Sequence, residues 1–389
     1  MDSRASFHQE IKLDACAHKC YIFMSIYNHS LSRKEVPIAS HAGRFRRQIS
    51  LYEAVALIMS GTIGAGMLGI PFVIQKAGAG PGIIILFAVG VLMMLINLLL
   101  ANIAIRADSE LHKVGLARKY LGTVGALLMG LVTYTLFIGV QAVYLIGEGA
   151  TLAAMFGGSE LNWSWLFFMV GAVGIALGVR TVKIIELALM LGLISIVLVI
   201  AGLSLPNINF VHWQYINLTQ LFVPLGVLLF AFHGTTAVPE AYNILRHRDR
   251  DFRKAVIIAG VLTIIIYAVF ALAVIGVTGA ETSEIATVGL GRALGRAVFA
   301  FGNLFALIAM GTSFLMTGVA LTDSFAWDLR VSRWLATLFV LLAPLAIFLL
   351  FGSFGFIGLI DFLGKIFITL ELALILVMAY RAKVIHSRT

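Results

Sequence analysis

Ten long apolar runs, each close to the length that crosses a bilayer, constrain this chain more than any other feature. They lie at approximately 50–77, 81–106, 121–154, 163–180, 184–205, 219–246, 253–278, 292–323, 332–351 and 354–381. Backbone amides inside hydrocarbon must be satisfied within the protein, so only helices or a closed barrel qualify. Barrel strands are short and alternate polar with apolar residues, whereas these runs are continuous. With 60% hydrophobic and 12% charged residues and a mean hydropathy of +1.00, the chain cannot build a water-facing surface. The fold class predicted is an all-α polytopic membrane protein of ten transmembrane helices in a lipid bilayer.

The net charge of +9 is distributed as a bilayer would sort it. Counting loops from a cytoplasmic N-terminus, nineteen Lys and Arg fall inside, among them Arg44, Arg106, Lys113, Arg180, Lys183, Arg253, Arg330 and Arg388. The outer segments hold Lys76, Arg292 and Arg296. The asymmetry predicts a plasma (inner) membrane protein with both termini in the cytoplasm. Basic residues spread over short loops make no phosphate-tracking face, so no nucleic acid partner is expected. No segment points to an obligatory protein partner. Residues 1–47 are expected to form a poorly ordered cytoplasmic tail, and 383–389 a short second one. Cys16 and Cys20 flank His18 in the first tail, but no second ligand pair at metal spacing follows, and reduced thiols are expected.

Two runs are interrupted. The first contains Ser60-Gly61-Thr62-Ile63-Gly64-Ala65-Gly66-Met67-Leu68-Gly69-Ile70-Pro71, four glycines and a proline in twelve residues. The sixth contains Phe230-Ala231-Phe232-His233-Gly234-Thr235-Thr236-Ala237-Val238-Pro239-Glu240. Taken singly, each is explained by a proline kink with close glycine packing. Taken together they lie five spans apart, and five is odd. The second half is then inserted upside down relative to the first, giving two five-helix repeats, 48–205 and 206–382, with helices 1 and 6 broken. Paired breaks at matching positions are the best pointer in a sequence to a transporter's binding site.

A solute that carries both a carboxylate and an ammonium must exchange its water for protein groups if it binds at mid-membrane. Amides at Gly64, Ala65, Gly66 and Met67, at the N-terminal end of a half-helix, suit its carboxylate. Carbonyls around Phe230, Ala231 and His233, next to Gly234, suit its ammonium. Phe232 reads either as packing or as a lid over the substrate. His233 has two open readings: a hydrogen bond to a neighbouring helix, or a pocket wall that titrates.

The Gly64-x-Gly66 segment followed by Leu68-Gly69-Ile70-Pro71, with Phe230-Ala231-Phe232 leading into the second break, resembles the amino acid/auxin permease family. That family belongs to the amino acid–polyamine–organocation superfamily with the LeuT-type fold. In appearance the chain is closest to bacterial and archaeal aromatic or hydrophobic amino acid permeases. The resemblance implies a secondary active transporter that imports such an amino acid with a cation by alternating access. It also implies, residue by residue, a sodium site made of Ser60, Ile63, Thr312 and Ser313. Proton coupling is the alternative, with His233 or the charges Asp361, Lys365 and Glu371 as carriers. Asp361 and Lys365, four apart, can pair on one helix face. Glu148 and Glu240 are expected as solvated residues near span ends. No cofactor is expected beyond the coupling ion, and no nucleophile–base spacing suggests an enzyme. A reading of a different class, an amino acid sensor of the same fold that binds without transporting, finds little to signal with in such short inner loops.

Overall fold

The computed structural model describes residues 43–108, 111–178, 183–328 and 332–386. Cys16, His18 and Cys20, with Arg180, Arg330 and Arg388, lie outside the described residues. The first span is two helices, α1 (Gly43–Thr62) and α2 (Gly66–Ala77), bent by 61° at the break. Next come α3 (Ala79–Ala107), α4 (Lys113–Phe156), α5 (Glu160–Ala176) and α6 (Lys183–Ser204). The sixth span is again two pieces, α7 (Pro224–Ala231) and α8 (Ala237–Ile244). It is followed by α9 (Asp249–Thr278), a short helix α10 (Ala286–Leu294), α11 (Arg296–Asp328) and α12 (Arg333–Phe351). The last span runs through α13 (Gly355–Leu363), a π-helical turn (Gly364–Ile368) and α14 (Thr369–His386).

Five stretches are individually long and apolar enough to cross a membrane, and the bent pair α1–α2 makes a sixth. One of the five, Arg333–Val384, has 52 residues, about 78 Å as a straight helix and far more than one crossing. The turn Gly352–Phe354 and the left-handed Gly355 at φ 72° divide it into spans nine and ten. Helices α5 and α6 and the pair α7–α8 complete the ten. The fold is therefore all-helical, with the first and sixth helices broken as expected.

Two boundaries differ from the sequence expectation for local reasons. The third span was expected from 121, yet helix begins at Lys113. Gly122, at φ 77° and ψ −166°, turns a short helix (113–121) away from the span proper. The eighth was expected from 292, but Gly295 at φ 103° assigns the preceding residues to α10.

Packing follows the repeat. The N-terminal half of span one, α1, lies on α8, and the C-terminal half, α2, lies on α7. The N-terminal half of each broken span therefore meets the C-terminal half of the other, as an inverted repeat requires. Helix α9 packs along α1, α2, α3 and α6, while α4 holds α5, α11, α12 and α14 together. Tyr267, Phe252, Phe270, Phe314 and Phe356 fill the interior between these layers. Side chains such as Ile84, Leu95, Val124 and Leu350 face outward, which is the ordinary state of a surface whose solvent is lipid.

Candidate functional site

The two breaks touch each other. Among the described residues, the amides of Gly64, Ala65 and Gly66 have no backbone acceptor, because the first bonds beyond the break run from Met67 to Gly64 and from Leu68 to Ala65. These are the donors left over where a helix restarts. Met67 was expected to share this role, but its amide is already paired. At Gly66 the two spans pack tightly against each other. A Cβ there would lie 2.9 Å from Ala231 Cα and 2.8 Å from Phe230 Cδ1. Gly64 has open space instead, and with Ala65 it lines an apolar cavity of about 30 Å³. Ile196 and Ile200 of α6, Phe270 of α9, Thr287 of α10 and Ala309 and Met310 of α11 complete the wall.

Tyr267 of α9, fully buried, ties the breaks together. Its hydroxyl donates to the Ala231 carbonyl at 2.9 Å and lies 3.3 Å from the Thr62 carbonyl, one partner from each broken span. No motif marks this residue in the sequence. Tyr267→Phe leaves these carbonyls without their donor, at a cost of about 1–3 kcal/mol. The expected result is a lower thermal unfolding midpoint, together with weakened substrate affinity if the breaks form the binding site.

Below the second break sits a buried ionic cluster. Glu371 of α14 is wholly inaccessible and accepts from Lys113 Nζ at 2.8 Å. Thr235 donates to the same oxygen at 2.5 Å and accepts from Lys113 at 3.1 Å. His233 Nε2 lies 3.2 Å from the other carboxylate oxygen and 3.0 Å from Thr235 Oγ1. His233 is thus both hydrogen-bonded to a neighbouring helix and connected to titratable groups. Lys113 and Thr235 were missed by the sequence reading. The short helix 113–121 carries the lysine into the bundle, so a residue counted among inner-loop positives is only 4% exposed.

The remaining expected residues are spread out. Phe230 packs on Gly66, while Phe232 stacks at 4.9 Å from the Tyr267 ring and lines a smaller cavity of about 10 Å³ with Asn97 and Thr263. Phe232 therefore lies on a different side of the break from the Gly64 cavity. Gly234 abuts the Thr62 side chain. Of the residues assigned to sodium, Ile63 is buried, and the hydroxyls of Ser60 and Thr312 turn back onto carbonyls of their own helices, Leu57 and Ile308. Ser313 hydrogen-bonds the Tyr144 side chain. Asp361 and Lys365 pair at 2.7 Å as expected, on a half-exposed face. Glu240 is exposed. Glu148 is not the solvated residue anticipated. It is 1% exposed and has one oxygen unpaired among the described residues, because α4 continues to Phe156 and packs there against α5 and α11.

Comparison with known proteins decides the family. Residues 47–389 match the model of the tryptophan/tyrosine permease family. The chain belongs to that family. Tyrosine-specific transport system 2 of Haemophilus influenzae is similar, at 29% identity over 85% of this chain and 87% of its own length. Tyrosine-specific transport system 1 of the same organism is 25% identical over 85% and 88%. Among solved structures, MhsT in complex with L-phenylalanine superimposes with a TM-score of 0.62 at 15% identity, covering 87% of this chain and 89% of that one. Mhp1, a nucleobase-cation-symport-1 family transporter, gives 0.55 at 12% identity, covering 80% and 74%. These likenesses establish a LeuT-type fold. As a tryptophan/tyrosine permease, the chain is a multi-pass membrane transporter of amino acids and not an enzyme.

Proposed function

We propose that this permease imports an aromatic amino acid, tyrosine or tryptophan, together with a cation, and binds it where the two broken spans meet. The observation that carries the reading is the set of unpaired amides at Gly64, Ala65 and Gly66 beside an apolar cavity. Buried donors need an acceptor, and a carboxylate answers three N–H groups at a half-helix N-terminus better than any neutral ligand. Ala231, Phe230 and His233 supply carbonyls for the ammonium, and the walls from Ile196, Phe270 and Met310 suit an aromatic ring. Similarity to tyrosine-specific transport systems supports the substrate class. A cavity of about 30 Å³ is far below the roughly 300 Å³ of small-molecule pockets, so admitting the substrate moves α6 or α10 outward. That movement is the opening half of an alternating-access cycle. The local pattern from Gly64 to Pro71 further supports a wider kinship with amino acid/auxin permeases.

Binding of radiolabelled L-tyrosine to the purified protein tests the reading. L-tryptophan should displace it, whereas tyramine, which keeps the ring and ammonium but lacks the carboxylate, should bind at least 100-fold more weakly. Equal displacement by tyramine would move the substrate away from the amides.

Orientation belongs to the same proposal. With both termini in the cytoplasm of a plasma (inner) membrane, Gly158→Cys and Asn209→Cys should react with an impermeant reagent from outside. Asp249→Cys and Ser332→Cys should react only from inside. Outside labelling at position 249 would reverse the assignment.

Two cations fit this cycle. Sodium would be held by the Ile63 carbonyl and by the hydroxyls of Ser60, Thr312 and Ser313 once these turn from their present partners. A proton needs a titratable group already in place, and the cluster around His233 favours that choice.

A further inference from the structure

The assembled cluster of His233, Glu371, Lys113 and Thr235 has a hydrogen-bond economy that singles out one atom. Glu371, facing the Lys113 ammonium, is a carboxylate and offers only acceptors. His233 Nε2 at 3.2 Å must therefore carry a hydrogen, and Thr235 spends its own on Glu371. The imidazole is thereby held as the Nε2–H tautomer. Its Nδ1 has no partner among the described residues, and the side chain retains 11% exposure.

We propose that Nδ1 of His233 loads the coupling proton and that loading it opens an inner latch. The step is simple in its balance: the Nδ1 lone pair takes H⁺ from water, imidazole becomes imidazolium, and the cluster changes from neutral to +1. The single carboxylate then faces two cations. Before loading, Lys113 is the one full cation bonded to Glu371, beside the neutral donors Thr235 and His233. After loading it must share its charge with His233 at its other oxygen, and the Lys113 contact weakens. Lys113 opens the short helix 113–121, whose Leu116 and Ala117 are fully buried against the bundle beneath the second break. Lys113 is that helix's ionic tie to α14 and to the break. Loosening it uncovers the cytoplasmic side of the site, and loss of the proton to inner water restores the tie.

Among the described residues, no other ionisable side chain hydrogen-bonds to this cluster. Lys113 and His233 are the charges acting on Glu371. From α9 only the Tyr267 phenol approaches, and it is engaged with the carbonyls of Ala231 and Thr62. Tyr52 and Glu53 of α1, Arg106 of α3 and Glu240 of α8 are exposed, and Tyr242 of α8 points to Asp108 at the inner surface. Asp361 and Lys365 pair with each other elsewhere along the tenth span.

The latch rests on the transport reading for its purpose, but its movement is measurable without substrate. In a full-length background with Cys16→Ser and Cys20→Ser, an Ala117→Cys reporter is alkylated in membranes at pH 8 and pH 5.5. Rates are normalised to a partly exposed Asp249→Cys reporter, which corrects for the intrinsic pH dependence of thiol reactivity. Normalised labelling should rise at least 5-fold at the lower pH with His233 present, and should be flat with pH in His233→Gln, which keeps a donor for Glu371 but cannot titrate. A flat profile with His233 present, or an unchanged rise in His233→Gln, overturns the latch. In proteoliposomes of the unsubstituted protein, an inward pH gradient in sodium-free buffer should drive tyrosine accumulation. Tyrosine uptake indifferent to that gradient overturns the proton role while leaving transport standing. A pH-dependent reporter in a protein that moves no amino acid sustains the latch and sinks the transport reading instead.

Discussion

Gly64→Val leaves the protein folded and removes tyrosine binding. A Cβ added at Gly64 has no protein atom within 4 Å, so the new side chain enters the open space where the ligand is expected. Blocking two charge-assisted hydrogen bonds to the carboxylate costs about 3–6 kcal/mol, or roughly 100- to 10,000-fold in affinity. Gly66→Val is expected to differ in kind. Its Cβ would press on the Ala231 backbone and the Phe230 ring, both under 3 Å away, and force α2 and α7 apart. Both variants lose transport, but only Gly66→Val also lowers the unfolding midpoint in detergent. Near-normal tyrosine affinity in folded Gly64→Val would place the anion site elsewhere.

The second large effect lies at the buried ion pair. Glu371→Ala strands Lys113 as an uncompensated charge among apolar helices, and removing one member of such a pair costs about 3–5 kcal/mol. Replacing both, Lys113→Met with Glu371→Gln, removes the stranded charge and should recover most of that stability. Transport should stay absent in the double variant, since proton loading at His233 would have nothing to release. Thermal unfolding of the two singles and the double forms a cycle. A double variant as unstable as the sum of the singles would mean that the pair contributes no mutual stabilisation.

The ten spans and the two breaks were legible because lipid enforces them: continuous apolar runs, and glycine with proline where a helix would otherwise persist. The Gly64–Gly66 donors were legible for the same local reason. Lys113 was not, because a hydropathy profile assigns a charge at the edge of a run to the loop, and only the reversal at Gly122 turns it into the bundle. Glu371 looked like a third charge beside Asp361 and Lys365. Six and ten residues along a helix are other faces, and the intervening π turn rotates them further. Glu148 was placed near a span end because the run appeared to stop at 154, whereas its burial depends on α5 and α11, which no local pattern encodes. Tyr267 is one aromatic residue in an apolar span, and what distinguishes it is the pair of carbonyls that converge on it from two distant segments.

Uptake of radiolabelled L-tyrosine into proteoliposomes, under inward proton and sodium gradients imposed in turn, tests the central claim most directly. Accumulation above equilibrium, driven by the proton gradient without sodium and blocked by L-tryptophan, is the predicted result. Folded protein that fails to move tyrosine or tryptophan, or that only equilibrates them under either gradient, would contradict coupled import through this site.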